Sequence, residues 1–276
     1  MTSEGEIAYQ SDRDGDFEIY ILDRNAGITR QLTDNEFQDE QPNWSPDGRT
    51  ICFVSDRDGA EDGTYGLYLM SSDGSSVQRL SPDNLRVIGF PSWSPDGQKI
   101  AFSALDDNNL NAIYVINVDG SNLHSLSEFN ALWPSWSSDG IQIAFQGFTD
   151  GVWNIYSVDA GDTENINKLV DSDDIRSAST NQSHPSWSPD NNYLVFVSEH
   201  TQSSNIYLMD MANQSIIPII TDESEEKRPN WSPDGTSILF LSDRTGIYSL
   251  YEYSLDQDEI QPVIEDNSKI WFADWR

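Results

Sequence analysis

The chain repeats one pattern of apolar and polar positions from end to end. A Pro-x-Trp-Ser-Pro-Asp-Gly stretch is followed by an Ile-x-Phe pair and, after a polar loop, by a short apolar run that holds a tyrosine. The alternation in these runs has period two, which is typical of β-strands. The Pro, Asp and Gly residues between the runs favour tight hairpin turns. Each repeat therefore predicts a small antiparallel sheet.

Six tryptophans set the length of the repeat. Subtracting their positions gives intervals of 49, 43, 51, 44 and 44 residues, which fall in the range of propeller repeats. The six are Trp44, Trp93, Trp136, Trp187, Trp231 and Trp275. A second hairpin turn, such as Asp73-Gly74, and a last short strand, such as Val77 to Leu80 or Leu123 to Leu126, give each unit four strands. The repeats predict an all-β protein, a six-bladed β-propeller with four antiparallel strands per blade.

The two ends of the chain carry complementary parts of one blade. Glu6 to Gln10 and Glu18 to Leu22 match the second and third strands of a unit, and Arg30 to Thr33 matches the outer strand. This blade has no Trp strand before it, whereas Trp271 to Arg276 is a Trp strand with no blade after it. We therefore predict that the C-terminal strand joins the N-terminal blade and closes the ring. Because the repeats cover nearly the whole chain, residues 1–276 are predicted to form a single domain.

The repeats resemble a known family. The Pro-x-Trp-Ser-Pro-Asp-Gly units, together with loops such as Ser11-Asp-Arg-Asp-Gly15 and Ser242-Asp-Arg-Thr-Gly246, resemble the TolB-type, WD-like β-propeller repeat, as in the C-terminal propeller domain of TolB. The resemblance covers about the whole chain, and the amino-terminal domain of TolB has no counterpart in it. Related propellers serve in the Tol–Pal envelope system, as gating domains of prolyl peptidases and in pectate-fragment lyases, so the resemblance leaves function open.

The resemblance also bears on location. It implies a periplasmic or extracellular protein, although no signal peptide is visible at the start of the sequence. No apolar run approaches the eighteen residues of a membrane span, so none is predicted. Cys52 is the only cysteine, and its place on a predicted buried strand makes it a core residue.

Charge narrows the possible partners. Fifteen Lys and Arg residues stand against 47 Asp and Glu residues, a formal net charge of −32. Such a surface repels phosphate backbones, so binding to nucleic acid is not expected. The charge is consistent with simple solubility or a salty environment, and also with binding of cations or of a basic partner. We expect a monomer.

The residue before each Pro-x-Trp stretch enters the innermost strand and is predicted to line the mouth of the central channel. These ring residues are Gln41, Phe90, Trp133, His184, Arg228 and Phe272. Their aromatic, amide, imidazole and guanidinium groups suit recognition of a peptide or a sugar. The alternative is that the aromatic residues merely plug the channel. The long, variable loops are predicted on the same face, where binding residues usually lie, and Asp171 to His184 is the longest.

Two loops carry alternating aspartates that suggest a cation site. Asp12, Asp14 and Asp16 alternate like the start of an oxygen-ligand loop, as do Asp56 and Asp58 with Asp62 more loosely. They make calcium a possible ligand, although no cofactor is predicted to be required. The alternative is that each Asp caps its own turn and pairs with the neighbouring Arg.

The signals for catalysis are weak. No Gly-x-Ser-x-Gly motif is present, and the histidines His124, His184 and His200 fall in three different structural positions. The favoured hypothesis, which the resemblance implies, is a non-catalytic scaffold that recognises a protein or peptide through the variable-loop face and the channel mouth. The alternative is a carbohydrate-active or metal-dependent enzyme, of lyase or hydrolase type, with its site at the same mouth.

Overall fold

The structure is a computed structural model and describes residues 5–58, 64–161, 165–171, 181–199, 203–264 and 269–276. These residues form 24 β-strands, and no helix long and apolar enough to cross a membrane occurs among them. The strands of the first three blades in chain order are β1 (Glu6–Ser11), β2 (Glu18–Asp23), β3 (Ile28–Gln31), β4 (Asp39–Trp44), β5 (Thr50–Ser55), β6 (Gly66–Ser71), β7 (Gln78–Arg79), β8 (Val87–Trp93), β9 (Lys99–Leu105), β10 (Asn111–Asn117) and β11 (His124–Ser125). The remaining strands are β12 (Ala131–Trp136), β13 (Gln142–Thr149), β14 (Val152–Asp159), β15 (Ile166–Val170), β16 (Asn181–Trp187), β17 (Tyr193–Glu199), β18 (Ser204–Asp210), β19 (Ile216–Ile220), β20 (Glu226–Trp231), β21 (Ser237–Ser242), β22 (Ser249–Ser254), β23 (Glu259–Ile264) and β24 (Ile270–Trp275).

The strands form six separate four-stranded antiparallel sheets, which are the six blades of the predicted propeller. Five sheets consist of consecutive strands, and the sixth has the order β24-β1-β2-β3. Trp275 lies opposite Ile7 in this sheet, as Trp44 lies opposite Ile51 in the next blade. The prediction that the C-terminal strand closes the ring is therefore confirmed.

The predicted ends of the outer strands were wrong by a few residues. The first outer strand is Ile28–Gln31 rather than Arg30 to Thr33, and the next two contain only Gln78–Arg79 and His124–Ser125. Outer strands lie at the edge of each blade and are partly or fully exposed at most positions, so apolar alternation marks them poorly. The closing strand likewise begins at Ile270, one residue before the predicted start.

Each Ser-Pro-Asp-Gly stretch forms a hairpin that its own side chains hold. In the first, Ser45 Oγ donates to Asp47 Oδ1 at 2.7 Å and accepts the Thr50 amide at 3.0 Å. Gly48 has a φ of +64°, a conformation that favours glycine. The hydrogen bond from the serine hydroxyl lowers the pKa of Asp47 below its usual value. The serine and the glycine therefore hold the turn in shape, and the serine also keeps the Asp47 carboxylate ionised.

The hydrophobic core lies between blades rather than at the centre of the ring. All six described core clusters join residues of two adjacent blades. Between the first two blades, Ile19 and Ile21 pack against Trp44 and Phe53. Cys52 is fully buried in the next such cluster, as the sequence predicted. Because each blade depends on its neighbours for burial, the ring gains stability from being closed.

The topology gives the propeller two different faces. We call the side where the inner strands β4, β8, β12, β16, β20 and β24 begin the mouth face, and the side of the Ser-Pro-Asp-Gly turns the hairpin face. Residues 59–63, among them Asp62, and residues 172–180 lie outside the described residues. The longest predicted loop, Asp171 to His184, is therefore described only at its two ends.

Candidate functional site

All but one of the ring residues lie in β-bulges of the inner strands. Five of them have left-handed backbone angles, with φ between +53° and +60°, and each of these five precedes a proline. They are Gln41, Phe90, Trp133, His184 and Arg228. Such φ values are uncommon for bulky residues, and a following proline disfavours the right-handed helical region for the residue before it. The register with the second strand shifts at each of the five positions.

The sixth blade departs from this geometry. Phe272 is followed by Ala273, is not among the residues with positive φ, and pairs in register with Gln10. The residue left out of the register there is Trp271. The bulge therefore places Trp271 at the mouth as well, a residue that sequence reasoning missed. Its only sequence signal is a large aromatic directly before the predicted ring position.

At two of these bulges, a glutamine side chain of the preceding blade accepts a hydrogen bond from the backbone amide. Gln10 Oε1 accepts the amide of Gln41 at 2.8 Å, and Gln41 Oε1 accepts the amide of Phe90 at 2.6 Å. Gln41 is thus buried, and its amide group serves the ring itself. Gly89 leaves the space that the Gln41 carboxamide occupies, because a Cβ at that position would overlap it.

The other ring residues form one aromatic cluster around Trp133. The Phe90 ring stacks on the Trp133 ring with centroids 3.6 Å apart, and the Phe272 ring lies parallel at 6.4 Å. The imidazole of His184 is 4.0 Å from Trp133 on a tilted plane. All of these side chains are only half-buried, so the cluster narrows the channel while keeping part of its surface open to solvent. Both plugging and recognition are compatible with this arrangement.

Arg228 completes the cluster from the next blade. Its guanidinium carbon lies 5.0 Å from the Trp133 ring, 5.6 Å from Phe272 and 5.8 Å from Trp271, distances typical of cation–π contacts. Burial lowers the pKa of Arg228 to about 10, and the negative charge of Glu40 opposes this shift. The guanidinium therefore stays protonated at neutral pH.

His184 is neutral at the same pH. Burial, with the nearby charges of Arg228 and Lys227, holds the pKa of His184 well below its usual value. Its Nδ1 lies 2.8 Å from the Ser183 hydroxyl. A neutral imidazole can share a proton or bind a metal, but in the described part of the chain no three His, Cys, Asp or Glu side chains converge to hold a metal ion. Of the other histidines, His124 lies on an outer strand, and His200 is outside the described residues.

A small polar chamber continues the channel beneath the cluster. The cavity has a volume of about 120 Å³, and its floor residues each lie two positions after a ring residue. These residues are Asn43, Ser92, Ser135, Ser186, Asn230 and Asp274. Asp274 is buried and accepts the Trp44 amide and the Asn230 side-chain amide, both at 2.6 Å. Burial raises the pKa of Asp274 to about 6. The chamber residues thus link the closing strand to both neighbouring blades.

The aspartates of the predicted cation loops contact protein groups. Asp12 accepts the amide of Lys269 and Asp56 the amide of Gln38, each at 2.9 Å. Asp14 accepts the hydroxyl of Tyr20 at 2.9 Å, and Asp58 that of Tyr68 at 2.7 Å. Each of these four carboxylates therefore accepts a hydrogen bond from a group outside its own turn, which differs from the expected capping of its own turn and pairing with the neighbouring Arg.

Asp16 is the remaining candidate ligand. Burial and the neighbouring charge of Asp14 raise the pKa of Asp16, so carboxylates crowd together at this loop. The arginines of the loops pair elsewhere: Arg57 donates to the buried Asp39 at 2.7 Å, and Arg244 donates to the buried Glu226 at 3.1 Å. Calcium binding at these loops stays a prediction.

The mouth face also exposes apolar side chains farther from the channel. Four large hydrophobic residues at the ends of its strands or in its loops are each about two fifths exposed. They are Phe37, Leu110, Phe148 and Ile247, from four different parts of the ring. Together with the central cluster they give this face apolar contact points within an acidic surface.

Comparisons with known proteins were consistent with this architecture. Residues 3–88 and 165–275 match the family described as TolB beta propeller domain. The chain is 37% identical over 75 residues to Atu1656, an uncharacterized protein of Agrobacterium fabrum; the match covers 27% of this chain and 24% of that protein. The chain thus matches only about a quarter of that relative's length.

Solved structures share the fold. TolB from Acinetobacter baumannii is similar with a TM-score of 0.81 and 18% identity, over 98% of this chain and 66% of that one. Oligogalacturonate lyase in complex with manganese is similar with a TM-score of 0.66 and 16% identity, over 95% of this chain and 74% of that one. At such identities the likeness concerns the fold alone.

Proposed function

The chain belongs to the TolB beta propeller domain family, and from that premise we propose that it is a non-catalytic scaffold that binds a protein or peptide partner on its mouth face. The partner contacts the channel mouth and the surrounding loops. By family resemblance we place the protein in the periplasm or outside the cell, as a monomer. In this proposal calcium is accessory and is not required for binding the partner.

One observation carries the proposal: the aromatic and guanidinium cluster at the mouth is half-exposed. Trp133, Arg228 and Phe272 hold one another through ring contacts and keep accessible surface. Trp and Arg are the residue types that most often dominate binding energies at protein interfaces. The strained bulges support the same view, because costly backbone conformations cluster at functional sites.

The enzyme hypothesis has less support. The likeness to oligogalacturonate lyase in complex with manganese favours it, and His184 lies at the mouth. However, His184 is the only histidine in the described part of the cluster, and its neighbours are aromatic rings and a cation rather than carboxylates. Release of unsaturated products from oligogalacturonate in the presence of manganese would support the lyase hypothesis over the scaffold.

The test uses a partner captured from an extract of the native host, identified by mass spectrometry and then purified. Replacing Trp133 or Arg228 by alanine should weaken its affinity by about 2 kcal/mol or more. Gln98→Ala, beside a turn of the hairpin face, is the matched control and should leave the affinity unchanged. Melting temperatures measured on the same variants separate binding from folding.

The plug hypothesis gives the opposite pattern. In that case Trp133→Ala lowers the melting temperature strongly, because a packed aromatic is lost, and Arg228→Ala binds the partner normally. That result would mean that the partner binds elsewhere on the protein and that the aromatic residues only fill the channel.

A further inference from the structure

Arg228 differs from the other described arginines in what its guanidinium contacts. Each of the others has a hydrogen-bond acceptor or a carboxylate close by, as Arg57 has Asp39 and Arg86 has Asn109. Within the described part of the chain, Arg228 has neither, and its contacts are the faces of Trp133, Trp271 and Phe272.

The carboxylate whose charge raises the pKa of Arg228 already accepts other hydrogen bonds. The negative charge of Glu40 raises the pKa of Arg228. However, the Glu40 carboxylate already accepts the Tyr65 hydroxyl at 2.6 Å and the side-chain amide of Gln10 at 3.2 Å. No ion pair forms between Glu40 and Arg228. A guanidinium has five N–H donors, so Arg228 keeps its full hydrogen-bonding capacity for a ligand. A half-buried charge without a partner is also costly, and an incoming anion would offset that cost.

The surrounding groups favour the same chemistry. The indole N–H groups of Trp133 and Trp271 have no acceptor among the described residues. The mouth therefore combines apolar ring faces with unpaired donors, on a chain whose net charge is −32. A singly charged, planar carboxylate fits such a guanidinium through two parallel hydrogen bonds. A more highly charged anion would meet stronger repulsion from the rest of the surface.

We propose that Arg228 receives a carboxylate of the bound peptide, either a C-terminus or an acidic side chain, while an adjacent apolar side chain of that peptide stacks on Trp133 and Trp271. This inference rests on the proposed function, because it names the group of the partner that enters the mouth. The left-handed bulge at Arg228, with φ of +56°, fixes the backbone that presents the guanidinium.

The inference predicts an unusual salt dependence. Repulsion between the acidic surface and an acidic peptide acts over long distances, and salt screens it beyond about 10 Å at 0.1 M. The contact at Arg228 is short and half-buried, so it is screened much less. Affinity for the carboxylate probe should therefore rise, or stay constant, between about 20 and about 300 mM sodium chloride.

The experiment uses saturation-transfer NMR on the full chain with two probes, acetyl-Gly-Trp with a free carboxylate and the same peptide as its amide. The free acid should bind at least about tenfold more tightly, the effect of a charge-assisted hydrogen bond. Arg228→Gln should abolish the preference, and Arg228→Lys should keep only part of it, because lysine lacks the planar fork. Arg86→Gln removes an exposed arginine from the same face and should change nothing. A melting temperature for each variant confirms that it is folded.

Equal affinity for the acid and the amide, or an unchanged preference in Arg228→Gln, would overturn the inference. Galacturonate is the third probe. If it binds through Arg228 while neither peptide binds, the carboxylate belongs to a sugar and the peptide assignment is wrong.

A different result distinguishes this inference from the proposed function. A partner that loses affinity with Trp133→Ala but not with Arg228→Gln preserves the scaffold and overturns this inference.

Discussion

At the residue scale, the two positions where the repeat departs from its own turn sequence contact each other. Ser138 replaces the usual proline, and Asn191 replaces the usual glycine of another blade. The Ser138 amide, which a proline would lack, donates to Asn191 Oδ1 at 2.7 Å. Asn191 adopts the φ of +59° that the glycine would have had. Ser138 therefore supplies the N–H donor of this hydrogen bond, and Asn191 supplies its acceptor.

This pair should show coupled energetics. Returning either residue to the repeat sequence, by Ser138→Pro or Asn191→Gly, removes one partner of an exposed hydrogen bond. The double variant should be more stable than the sum of the two single changes predicts, by about 0.5–1 kcal/mol. Denaturant unfolding of the four proteins measures the coupling, and Asn191→Gly combined with the distant Gln98→Ala is the additive control. Strict additivity in both pairs would show that the contact contributes nothing.

The sequence predicted most of the residues that line the mouth but not how they are held. The position before each Pro-x-Trp stretch was enough to identify Phe90, Trp133 and Arg228 as neighbours, because the repeat fixes the strand. The left-handed bulges were not predicted, although a proline inside an inner strand is a sign of one. Trp271 was missed because the sixth copy lacks the proline that marks the position. Contacts between blades, such as Gln41 with Phe90, depend on ring geometry that no single repeat contains.

At the element scale, the closing strand β24 (Ile270–Trp275) and the residue after it contact the second blade. Asp274 accepts the Trp44 amide of the next blade. Arg276, directly after the strand, donates to Glu6 and to the Gly48 carbonyl, and its guanidinium lies 4.1 Å from the Trp44 ring. The strand thus fastens the first blade to the second as well as completing it.

Deleting residues 270–276 should destabilise the whole ring. The loss of Trp275 alone should cost roughly 3–5 kcal/mol if it is typical of a packed aromatic, and the deletion also exposes an unpaired strand edge. The melting temperature of the truncated chain should fall sharply. Adding a synthetic peptide of residues 269–276 should restore it in a concentration-dependent way. A truncated chain that melts within a few degrees of the intact one would contradict this role.

The inner three strands of each blade were the predictable elements. Their apolar alternation and paired Phe and Tyr rings follow directly from the repeat, and Phe53 indeed lies opposite Tyr68 in the sheet with ring centroids 5.7 Å apart. The outer strands were less predictable, since their exposed positions carry mixed side chains. The strands were recognised from the apolar residues that they bury, and the outer strand at the edge of a blade buries the fewest.

At the scale of the whole molecule, stability should pass through a maximum at mildly acidic pH. Burial raises the pKa of Glu18 to about 7, above that of the unfolded chain. The native state therefore binds this proton more tightly, and the stabilisation it gives is fully present below about pH 4.5 and lost as pH rises through about 7. Asp47 and its equivalents in the turns have lowered pKa values, so their contribution is lost when pH falls below about 4.

The melting temperature should accordingly rise between about pH 8 and about pH 5 and fall in stronger acid. Glu18→Gln keeps an acceptor for the Asn35 amide but removes the titrating group, so it should flatten the rise by on the order of 1–3 kcal/mol. Measurements at high salt control for the general decrease of negative charge. An identical pH profile for Glu18→Gln would show that Glu18 does not cause the slope.

The last prediction concerns calcium and the overall charge of −32. Any salt stabilises such a chain by screening its self-repulsion, so a calcium effect must exceed that of sodium at the same ionic strength. If the crowded carboxylates at Asp14 and Asp16 bind calcium, a hundredfold excess over the dissociation constant should stabilise the native state by about 2.7 kcal/mol. Asp16→Asn should remove the calcium-specific part of the melting shift, whereas Asp107→Asn, in an exposed loop of the same face, should not. Asp14 and Asp58 already accept tyrosine hydroxyls, so equal shifts from the two salts would mean that these loops are held by protein hydrogen bonds alone.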